Sequence, residues 1–317
     1  MTKIHLEVLA PTTQTLSPQE DPTCFLPTGK PHVSYSEISD WMDCSERHRL
    51  KHVLKIALDK PSVHTEFGRA VHDAMEGFIK TRVLPDPVAT KVLFEELCVK
   101  LDTDHGIKIS DKERDSFSVS IPSILESVPK FLDEEFPGWE GVEAEHALYE
   151  LISGQDRKYF KGFIDSVIRI PKKKRVAKKT GDMPMRLSEM AGATVDNDAE
   201  GWEYWIMDWK TTSWGWAPEK KRDFQKHLQL ALYKSFYCKV KNLALDQVKC
   251  GFVLLKRTPR KSDGSCVELI PVSVGPKTEE KAIGILNNMI NQVRSGRALK
   301  NRMSCRFCAY HGTSHCV

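Results

Sequence analysis

The sequence predicts an α/β protein in which helices flank a central β-sheet. Two observations favour this class. Apolar segments with the composition and period of β-strands alternate along the chain with amphipathic segments whose apolar residues recur at i, i+3 and i+4. A chain of 317 residues without an internal repeat can also bury a substantial core, so we expect one domain enlarged by insertions. The strand patterns cover residues 142–152, 159–170, 203–212, 248–256 and 266–274.

The N-terminal part of the chain supplies a tail and two helices. Residues 1–30 are rich in Thr, Pro and Gln, which predicts a disordered tail ahead of a domain of residues 31–317. Order is expected to begin at Ser34, which opens a capping-box pattern ahead of an amphipathic helix. The next helix, residues 65–80, carries His72 at the edge of its apolar stripe, where a histidine is usually structural.

A helical insertion comes before the first long strand. Residues 85–137 indicate two or more helices without recognisable chemistry, and we assign them to packing. Residues 142–152 alternate as a strand does and contain Glu145. A charged residue at such a place is usually just exposed to solvent.

The strand pattern of residues 159–170 has an acid at its centre, Asp165. Its apolar neighbours predict burial on both faces, where an unpaired carboxylate is poorly tolerated. Gly162 leaves room for the close approach of another segment. The neighbours that predict burial are Phe163, Ile164, Val167 and Ile168.

The strand pattern of residues 203–212 holds an acid and a lysine two positions apart. Burying both charges costs several kcal/mol unless they meet each other, a metal or a substrate charge. A solvated surface pair is the structural alternative. Because successive side chains of a strand point to opposite faces, the pattern predicts Ile206, Asp208 and Lys210 on one face and Trp205, Met207 and Trp209 on the other.

Pairing of these two strands would bring their charged groups together. Asp165 and Asp208 would then converge on one hard divalent cation, since carboxylate oxygens are the ligands such cations prefer. Lys210 would be placed to orient a metal-bound water or to help deprotonate it.

Two clusters of positive charge lie near this pair in the sequence. Residues 171–201 form a basic loop between the two strands, and the loop either contacts phosphate groups or is simply solvated. A net charge of +4 says little by itself, so the clustering carries the argument. The loop begins with Lys172, Lys173, Lys174 and Arg175, and the second cluster, before a helix at residues 223–240, holds Lys220, Lys221, Arg222 and Lys226.

Four short motifs in a fixed order make the chain resemble a known family. They are Gly68-Arg-Ala-Val-His72, Gly162-Phe-Ile-Asp165, Asp208-Trp-Lys210 and Gln229-Leu-Ala-Leu-Tyr233. In this order they are similar to the pattern of the RecB-type branch of the PD-(D/E)XK nucleases. The sequence departs from that pattern in the length of residues 166–207, which exceeds what a hairpin needs, so an insertion must loop out there.

The resemblance implies a fold, a metal site and catalytic residues. The fold is a mixed sheet flanked by helices, the restriction-endonuclease-like core, with residues 85–137 as packing or as a DNA-facing cap. The catalytic residues implied are Asp165, Asp208 and Lys210. Gln229 and Tyr233 would contact the nucleic acid or support the lysine. The ligands implied for Mg²⁺ or Mn²⁺ are His72, Asp165, Asp208, the main-chain carbonyl of Trp209 and, as an additional acid, Glu145.

The cysteines at the C-terminus suggest a second metal centre. An amphipathic helix at residues 278–294 leads to residues 303–317, which hold Cys305, Cys308 and Cys316. Three thiolates leave a tetrahedral site one ligand short. The resemblance implies that Cys44 completes a [4Fe-4S] cluster, which would staple the N- and C-terminal parts together. Zinc is the alternative, with His311 or His315 in place of Cys44.

These features lead to one expected function and two alternatives. The resemblance implies a Mg²⁺- or Mn²⁺-dependent DNA exonuclease that acts on single-stranded ends, leaves 5′-phosphates and serves DNA repair, recombination or replication. The alternatives are a nuclease subunit of a helicase–nuclease or CRISPR-adaptation assembly, and a non-catalytic nucleic-acid-binding module with a structural zinc. The sequence has no Gly-Lys-Ser/Thr phosphate loop, so a helicase or recombination protein would be a separate partner.

The composition also sets an expected compartment. No run approaches the roughly 20 apolar residues that span a bilayer, so we expect no membrane association. Nine cysteines without an apolar secretory stretch at the start indicate reduced thiols and therefore the cytoplasm.

Overall fold

One mixed β-sheet forms the centre of the protein. The computed structural model describes residues 24–172 and 201–317. The strands run in the order β1-β3-β4-β5-β6, and β2 pairs with β3 outside this path. The β1–β3 and β4–β5 pairs are parallel and the others are antiparallel. The strand bounds are β1 His32–Ser34, β2 Glu140–Leu151, β3 Tyr159–Pro171, β4 Trp202–Thr212, β5 Val248–Lys256 and β6 Val267–Val272.

Helices cover both faces of the sheet. Short turns of π-helix at Arg49–Val53 and of 3₁₀-helix at Leu245–Gln247 and Arg302–Phe307 connect or follow them. The α-helices are α1 Tyr35–Asp43, α2 Ser45–His48, α3 Val63–Thr81, α4 Pro87–His105, α5 Asp111–Ser118, α6 Ile121–Glu135, α7 Pro218–Lys221, α8 Phe224–Lys241 and α9 Pro276–Arg294. None of these helices is long and apolar enough to cross a membrane.

Two hydrophobic cores lie on opposite faces of the sheet. On one face α8 and α9 pack against the strands, and on the other α3, α4 and α6 do so. Ile206 belongs to the first core, whereas Met207 and Trp209 belong to the second. The two faces predicted for β4 are therefore confirmed, and the period of two in its sequence has a packing cause.

Side-chain caps fix where the site-bearing helices begin. The Ser62 hydroxyl accepts a hydrogen bond from the Thr65 N–H at 3.4 Å and starts α3, and Asp223 accepts one from the Gln225 N–H at 2.9 Å and starts α8. Ser34 caps α1 as predicted, but only half of the capping box forms. The Glu37 carboxylate turns inward instead and meets the His48 imidazole at 3.0 Å.

The edges of β3 are used unequally. Along one edge β3 pairs with β2, and the other edge is shared by β1, at residues 159–161, and β4, at residues 166–171. Among the described residues, no strand lies beside residues 162–165 on that second edge. This opening in the sheet contains the acid that the sequence places at the centre of the strand.

One burial prediction for β3 is wrong. Phe163 keeps 46% of its surface exposed, although its neighbours Ile164, Val167 and Ile168 are fully buried. Its partner on β2, Ala147, is exposed as well, so this point of the sheet lies beyond both cores. The Lys161 ammonium lies 5.7 Å from the Phe163 ring centroid.

Residues 85–137, predicted to hold two or more helices, contain α4, α5 and α6 between α3 and β2. Of the predicted tail, residues 1–23 lie outside the described part of the chain. Of the residues that open the basic loop, Lys172 is exposed, and Lys173, Lys174 and Arg175 lie outside the described residues.

Candidate active site

A buried acid and a lysine form the centre of the site on β4. Asp208 is only 1% exposed, and its Oδ2 lies 2.6 Å from the Lys210 Nζ. This short ion pair does not have the geometry of a hydrogen bond, and neither Asp208 oxygen has a hydrogen-bond partner among the described residues. A buried carboxylate left in this state costs free energy unless a further cation completes its surroundings.

Lys210 carries a positive charge in this arrangement. Burial by itself would lower the pKa of Lys210, but the carboxylates of Asp208 and Asp165 outweigh burial and raise the pKa above its ordinary value. A protonated ammonium stabilises negative charge but cannot take up a proton. The charged form of Lys210 suits the orienting and charge-stabilising role predicted for it.

Asp165 lies where β4 separates from β3. The last residues paired between the two strands are Ser166 and Met207, and Asp165 and Asp208 come immediately after them. The Trp209 N–H donates a hydrogen bond of 2.8 Å to the Asp165 Oδ2, so the carboxylate takes a backbone donor of β4. This bond fixes the orientation of the acid inside the opening of the sheet.

The raised pKa of Asp165 indicates that its surroundings hold too little positive charge for its carboxylate. Burial, followed by the charge of Asp208, raises the pKa of Asp165 well above its usual range, against the opposing effects of Lys210 and the Trp209 N–H. A divalent cation bound by both carboxylates would offset the repulsion between their negative charges.

His72 approaches the same acid from α3. Its Nδ1 lies 3.7 Å from the Asp165 Oδ2. Burial lowers the pKa of His72, although the Asp208 charge and a hydrogen bond with the Trp209 backbone oppose this. The neutral imidazole that results is the form that binds metal ions.

Two glycines of the sequence motifs allow the close packing that the site needs. A Cβ at Gly68 would lie 3.3 Å from the Thr211 Oγ1, which shows how closely α3 approaches β4. A Cβ at Gly162 would lie 2.7 Å from the Tyr233 ring, so only glycine admits that ring against β3. Tyr233 in turn accepts a hydrogen bond from the Gln229 Nε2 at 3.3 Å. The predicted support residues thus pack directly behind the Asp165 strand.

Glu145 completes a group of possible metal ligands. It stands opposite Asp165, between the β2–β3 pairs formed by Ala144 and His146. Single ligand atoms of His72, Glu145 and Asp165 lie within 4.8 Å of one another, and Asp208 stands outside this group of three. Burial, and then the charge of Glu76, raises the pKa of Glu145.

The backbone of Glu145 is strained. Its φ of +50° is left-handed, a conformation that costs roughly 1–3 kcal/mol for a non-glycine residue and concentrates at functional sites. No sequence signal indicated this strain.

The donor set fits a hard divalent cation. It combines carboxylate oxygens, one neutral imidazole and a backbone segment at Trp209, which is the chemistry that Mg²⁺ or Mn²⁺ accepts. The unpartnered oxygens of Asp208 and the raised pKa of Asp165 are the two observations that support this fit.

Sequence reasoning missed one residue of the site, Tyr35. Its hydroxyl donates a hydrogen bond of 2.9 Å to the Gln225 carbonyl at the start of α8. Burial, and then the charge of Asp208, raises the pKa of Tyr35, and the same two causes raise that of Tyr233. Both tyrosines therefore remain neutral near Asp208. The only signal for Tyr35 was its place in the capping sequence, which carries no information on distant contacts.

Replacing Asp165 with Asn tests whether the site lacks a cation. A carboxyl whose folded pKa is raised contributes stability that is present below its unfolded pKa and lost as pH rises through its folded pKa. At neutral pH, Asp165→Asn should therefore stabilise the metal-free protein by about 1 kcal/mol, or roughly 2 °C in Tm.

Thermal unfolding with and without Mg²⁺ measures this effect. Mg²⁺ should raise the Tm of the wild type but not that of the variant. A lower Tm of the metal-free variant would contradict the assignment.

The four cysteines predicted to bind a cluster line one cavity. Cys44, Cys305, Cys308 and Cys316 surround a space of about 130 Å³, far more than the roughly 10–15 Å³ that one water needs. The Asn301 N–H donates a hydrogen bond of 3.3 Å to the Cys44 Sγ, which joins the first helices to the C-terminal tail.

The spacing of these sulfurs bears on the choice of metal. Among the described residues, the thiols and histidines of the tail do not form a group of three ligand atoms within 4.8 Å. A single tetrahedral zinc needs its sulfurs about 3.8 Å apart. His311 lines the cavity and His315 is not among its lining residues.

Three comparisons relate the chain to known proteins. The family model of the PD-(D/E)XK nuclease superfamily matches residues 32–189 and 194–313. A solved structure from Eubacterium rectale named “Putative exonuclease” superposes with a TM-score of 0.50 and 11% sequence identity, over 89% of this chain and 88% of that chain. At this identity the likeness concerns the fold alone. The curated proteins include no match to this chain.

Proposed function

The chain belongs to the PD-(D/E)XK nuclease superfamily, and on that premise we propose that it is a metal-dependent DNA exonuclease acting on single-stranded ends. One observation carries this proposal. The buried carboxylate of Asp208 has no hydrogen-bond partner among the described residues and adjoins both Lys210 and the opening that holds Asp165. A divalent cation would complete the surroundings of this carboxylate and supply the charge that phosphodiester hydrolysis uses.

The residues proposed to hold Mg²⁺ or Mn²⁺ come from three elements. His72 comes from α3, Asp165 from β3, and Asp208 with the Trp209 carbonyl from β4, while Glu145 of β2 is near enough to take part. When bound, the ion neutralises charge on the phosphate and makes water nucleophilic at neutral pH.

The protein groups position the reactants and stabilise charge. The Trp209 N–H holds the Asp165 carboxylate in place. Lys210, charged and next to Asp208, aligns the attacking water and offsets the negative charge that grows on the phosphate. From the resemblance to the RecB-type branch, we propose that cleavage leaves a 5′-phosphate.

End-labelled linear and circular single strands of DNA test the proposed reaction. With Mg²⁺ the purified protein should convert the linear strand to mononucleotides or short products, and EDTA should stop this completely. Circular strands should persist, because an exonuclease needs an end. Cleavage of the circle at the same rate would contradict exonuclease action, and no metal-dependent cleavage of either strand would overturn the nuclease proposal.

We also propose that Cys44, Cys305, Cys308 and Cys316 bind a [4Fe-4S] cluster. One observation supports a shared metal centre, since all four thiols line one cavity, and ligation by sulfur alone suits an iron–sulfur cluster. The cluster would hold the N-terminal helices against the tail and shape the DNA path. Among the described residues no disulfide joins two cysteines, which suits the reducing compartment proposed for this protein, the cytoplasm.

The pathway proposed is DNA repair, recombination or replication, with DNA as the partner. A helicase or recombination protein would supply single strands, since the sequence carries no phosphate loop for a motor. Recovery of a helicase with the tagged protein at constant stoichiometry would favour the alternative of a subunit in a larger assembly.

A further inference from the structure

The segment after β4 folds back over the sheet beside the catalytic residues. Lys210, Leu254 and Glu268 stand in one row across β4, β5 and β6. The Lys221 Nζ of α7 lies 2.5 Å from the Glu268 Oε1. Since neighbouring strands are about 4.8 Å apart, α7 is anchored roughly 10 Å across the sheet from the Lys210 backbone.

A buried tryptophan holds the same segment in place. Trp216 packs in the α8–α9 core, and its ring centroid lies 5.1 Å from that of Phe252. Phe252 is the β5 residue paired with Asp208. The residues on either side of Trp216 therefore lie at the rim of the candidate active site.

Trp214 presents a large apolar surface to solvent at this rim. It is 71% exposed, whereas the backbone around it is fixed. The Thr212 hydroxyl donates a hydrogen bond of 2.7 Å to the Trp214 carbonyl, and the Thr258 N–H donates one of 3.0 Å to the Ser213 carbonyl. An exposed indole costs solvation free energy, and its rigid mounting reduces the entropy lost when a partner stacks on it.

Two lysines without acidic partners among the described residues follow this indole closely in the chain. The exposed Lys220 has its Nζ 4.6 Å from the Trp216 ring centroid, and Lys226 lies in the first turn of α8. No described carboxylate forms an ion pair with either, whereas Lys221 between them is paired with Glu268. Burial, and then the charges of Lys226 and Lys210, lowers the pKa of Lys220. The charges of Lys210, Lys220 and Lys226 therefore act on one another, and of the three only Lys210 has a described carboxylate partner, Asp208.

We propose that Trp214, Lys220 and Lys226 form a binding surface for single-stranded DNA, in which a base stacks on the indole and backbone phosphates contact the two ammonium groups. Only an unpaired base offers a free ring face, because in a duplex the neighbouring base pairs cover it. Four residues of chain, at most about 13 Å, separate Trp214 from Lys210, a distance that a few nucleotides span. This inference rests on the proposed nuclease function and adds the form of its substrate.

Binding measured without divalent metal tests the surface independently of cleavage. Fluorescence anisotropy of a labelled dT oligomer of about 12 nucleotides gives the affinity for a single strand, and a labelled duplex serves as comparison. Trp214→Ala should weaken single-strand binding roughly 10-fold or more and leave duplex binding unchanged. Trp214→Phe, which keeps an aromatic ring, should restore most of the affinity.

The salt dependence of single-strand affinity shows whether Lys220 and Lys226 contact phosphates or whether any loss of positive charge has the same effect. The double variant Lys220→Ala, Lys226→Ala should reduce the slope of log affinity against log salt by about 1.4, the value for two phosphate contacts to a single strand. Lys249→Ala removes an exposed charge from the far end of the β4–β5 pair and should leave the slope unchanged.

The possible outcomes separate this inference from the proposed function. The proposed binding surface would be refuted if Trp214→Ala bound the single strand as tightly as the wild type does. It would also be refuted if the wild type did not bind the oligomer, even if the protein cleaves DNA. Conversely, a protein that binds the oligomer through these residues but never cleaves it would keep the surface and lose the nuclease assignment.

Discussion

Asp208→Asn is expected to lower the rate of DNA cleavage by about 10³-fold or more. The amide keeps the shape of the side chain but removes the charge that would hold the cation, and it leaves the Lys210 ammonium without its counter-charge. Asp208 is buried, and among the described residues its carboxylate has an ion-pair partner, Lys210, but no hydrogen-bond partner. Cleavage of end-labelled single strands at saturating Mg²⁺ measures the effect.

Two controls separate chemistry from folding in this experiment. The variant should bind single-stranded DNA without metal as the wild type does, and its thermal unfolding should remain cooperative. Asp246→Asn removes a carboxylate from an exposed site in the 3₁₀-turn Leu245–Gln247 and should cleave normally. If Asp208→Asn retained most of its activity, the proposed metal site on β4 would have to be abandoned.

Cys44→Ala is expected to release the iron–sulfur cluster and destabilise the protein. Loss of a structural metal centre removes free energy of folding directly, on the order of 5 kcal/mol or more, which corresponds to roughly 10 °C in Tm for a protein of this size. The first helices would also lose one of their contacts with the tail, the hydrogen bond from the Asn301 N–H to the Cys44 Sγ. Iron and sulfide content, visible absorbance and Tm of the anaerobically purified protein measure these changes.

Cys98→Ala is the matched control for this variant. Cys98 is buried in the core formed by α3, α4 and α6, far in sequence from the cavity, so its loss should cost only about 1 kcal/mol and no iron. Wild-type protein that is colourless and holds one zinc without iron would refute the cluster. In that case His311→Ala, which changes a residue lining the same cavity, should release the zinc.

Local structure was predictable because it depends on local patterns. The bounds of β5 agree with the predicted residues 248–256, those of β4 differ from the prediction by one residue at one end, and those of α8 differ by one residue at each end. The shared face of Asp208 and Lys210 followed from the period of two along β4. In each case the information lies within a few neighbouring residues.

The features that assemble the site depend on distant contacts and could not be predicted in this way. The opening beside residues 162–165 exists because β1, from the N-terminal part of the chain, occupies one end of the β3 edge. The proximity of Tyr35 to Asp208, the left-handed backbone of Glu145 and the exposure of Phe163 also depend on pairing between remote segments. The motif glycines were recognised, but the residues they accommodate, Thr211 and Tyr233, required the structure.

Because β1 and β4 share one edge of β3, the proposed chemistry depends on which β4 residue lies opposite each residue of β3. Inserting a single residue into β4 ahead of Met207 could leave every strand hydrogen-bonded to the same neighbour. It would nevertheless turn the carboxylate and the amine out of their shared recess and bring indole and thioether groups there instead. The proposed catalytic centre therefore depends on the register between the strands as much as on the acids and the lysine themselves.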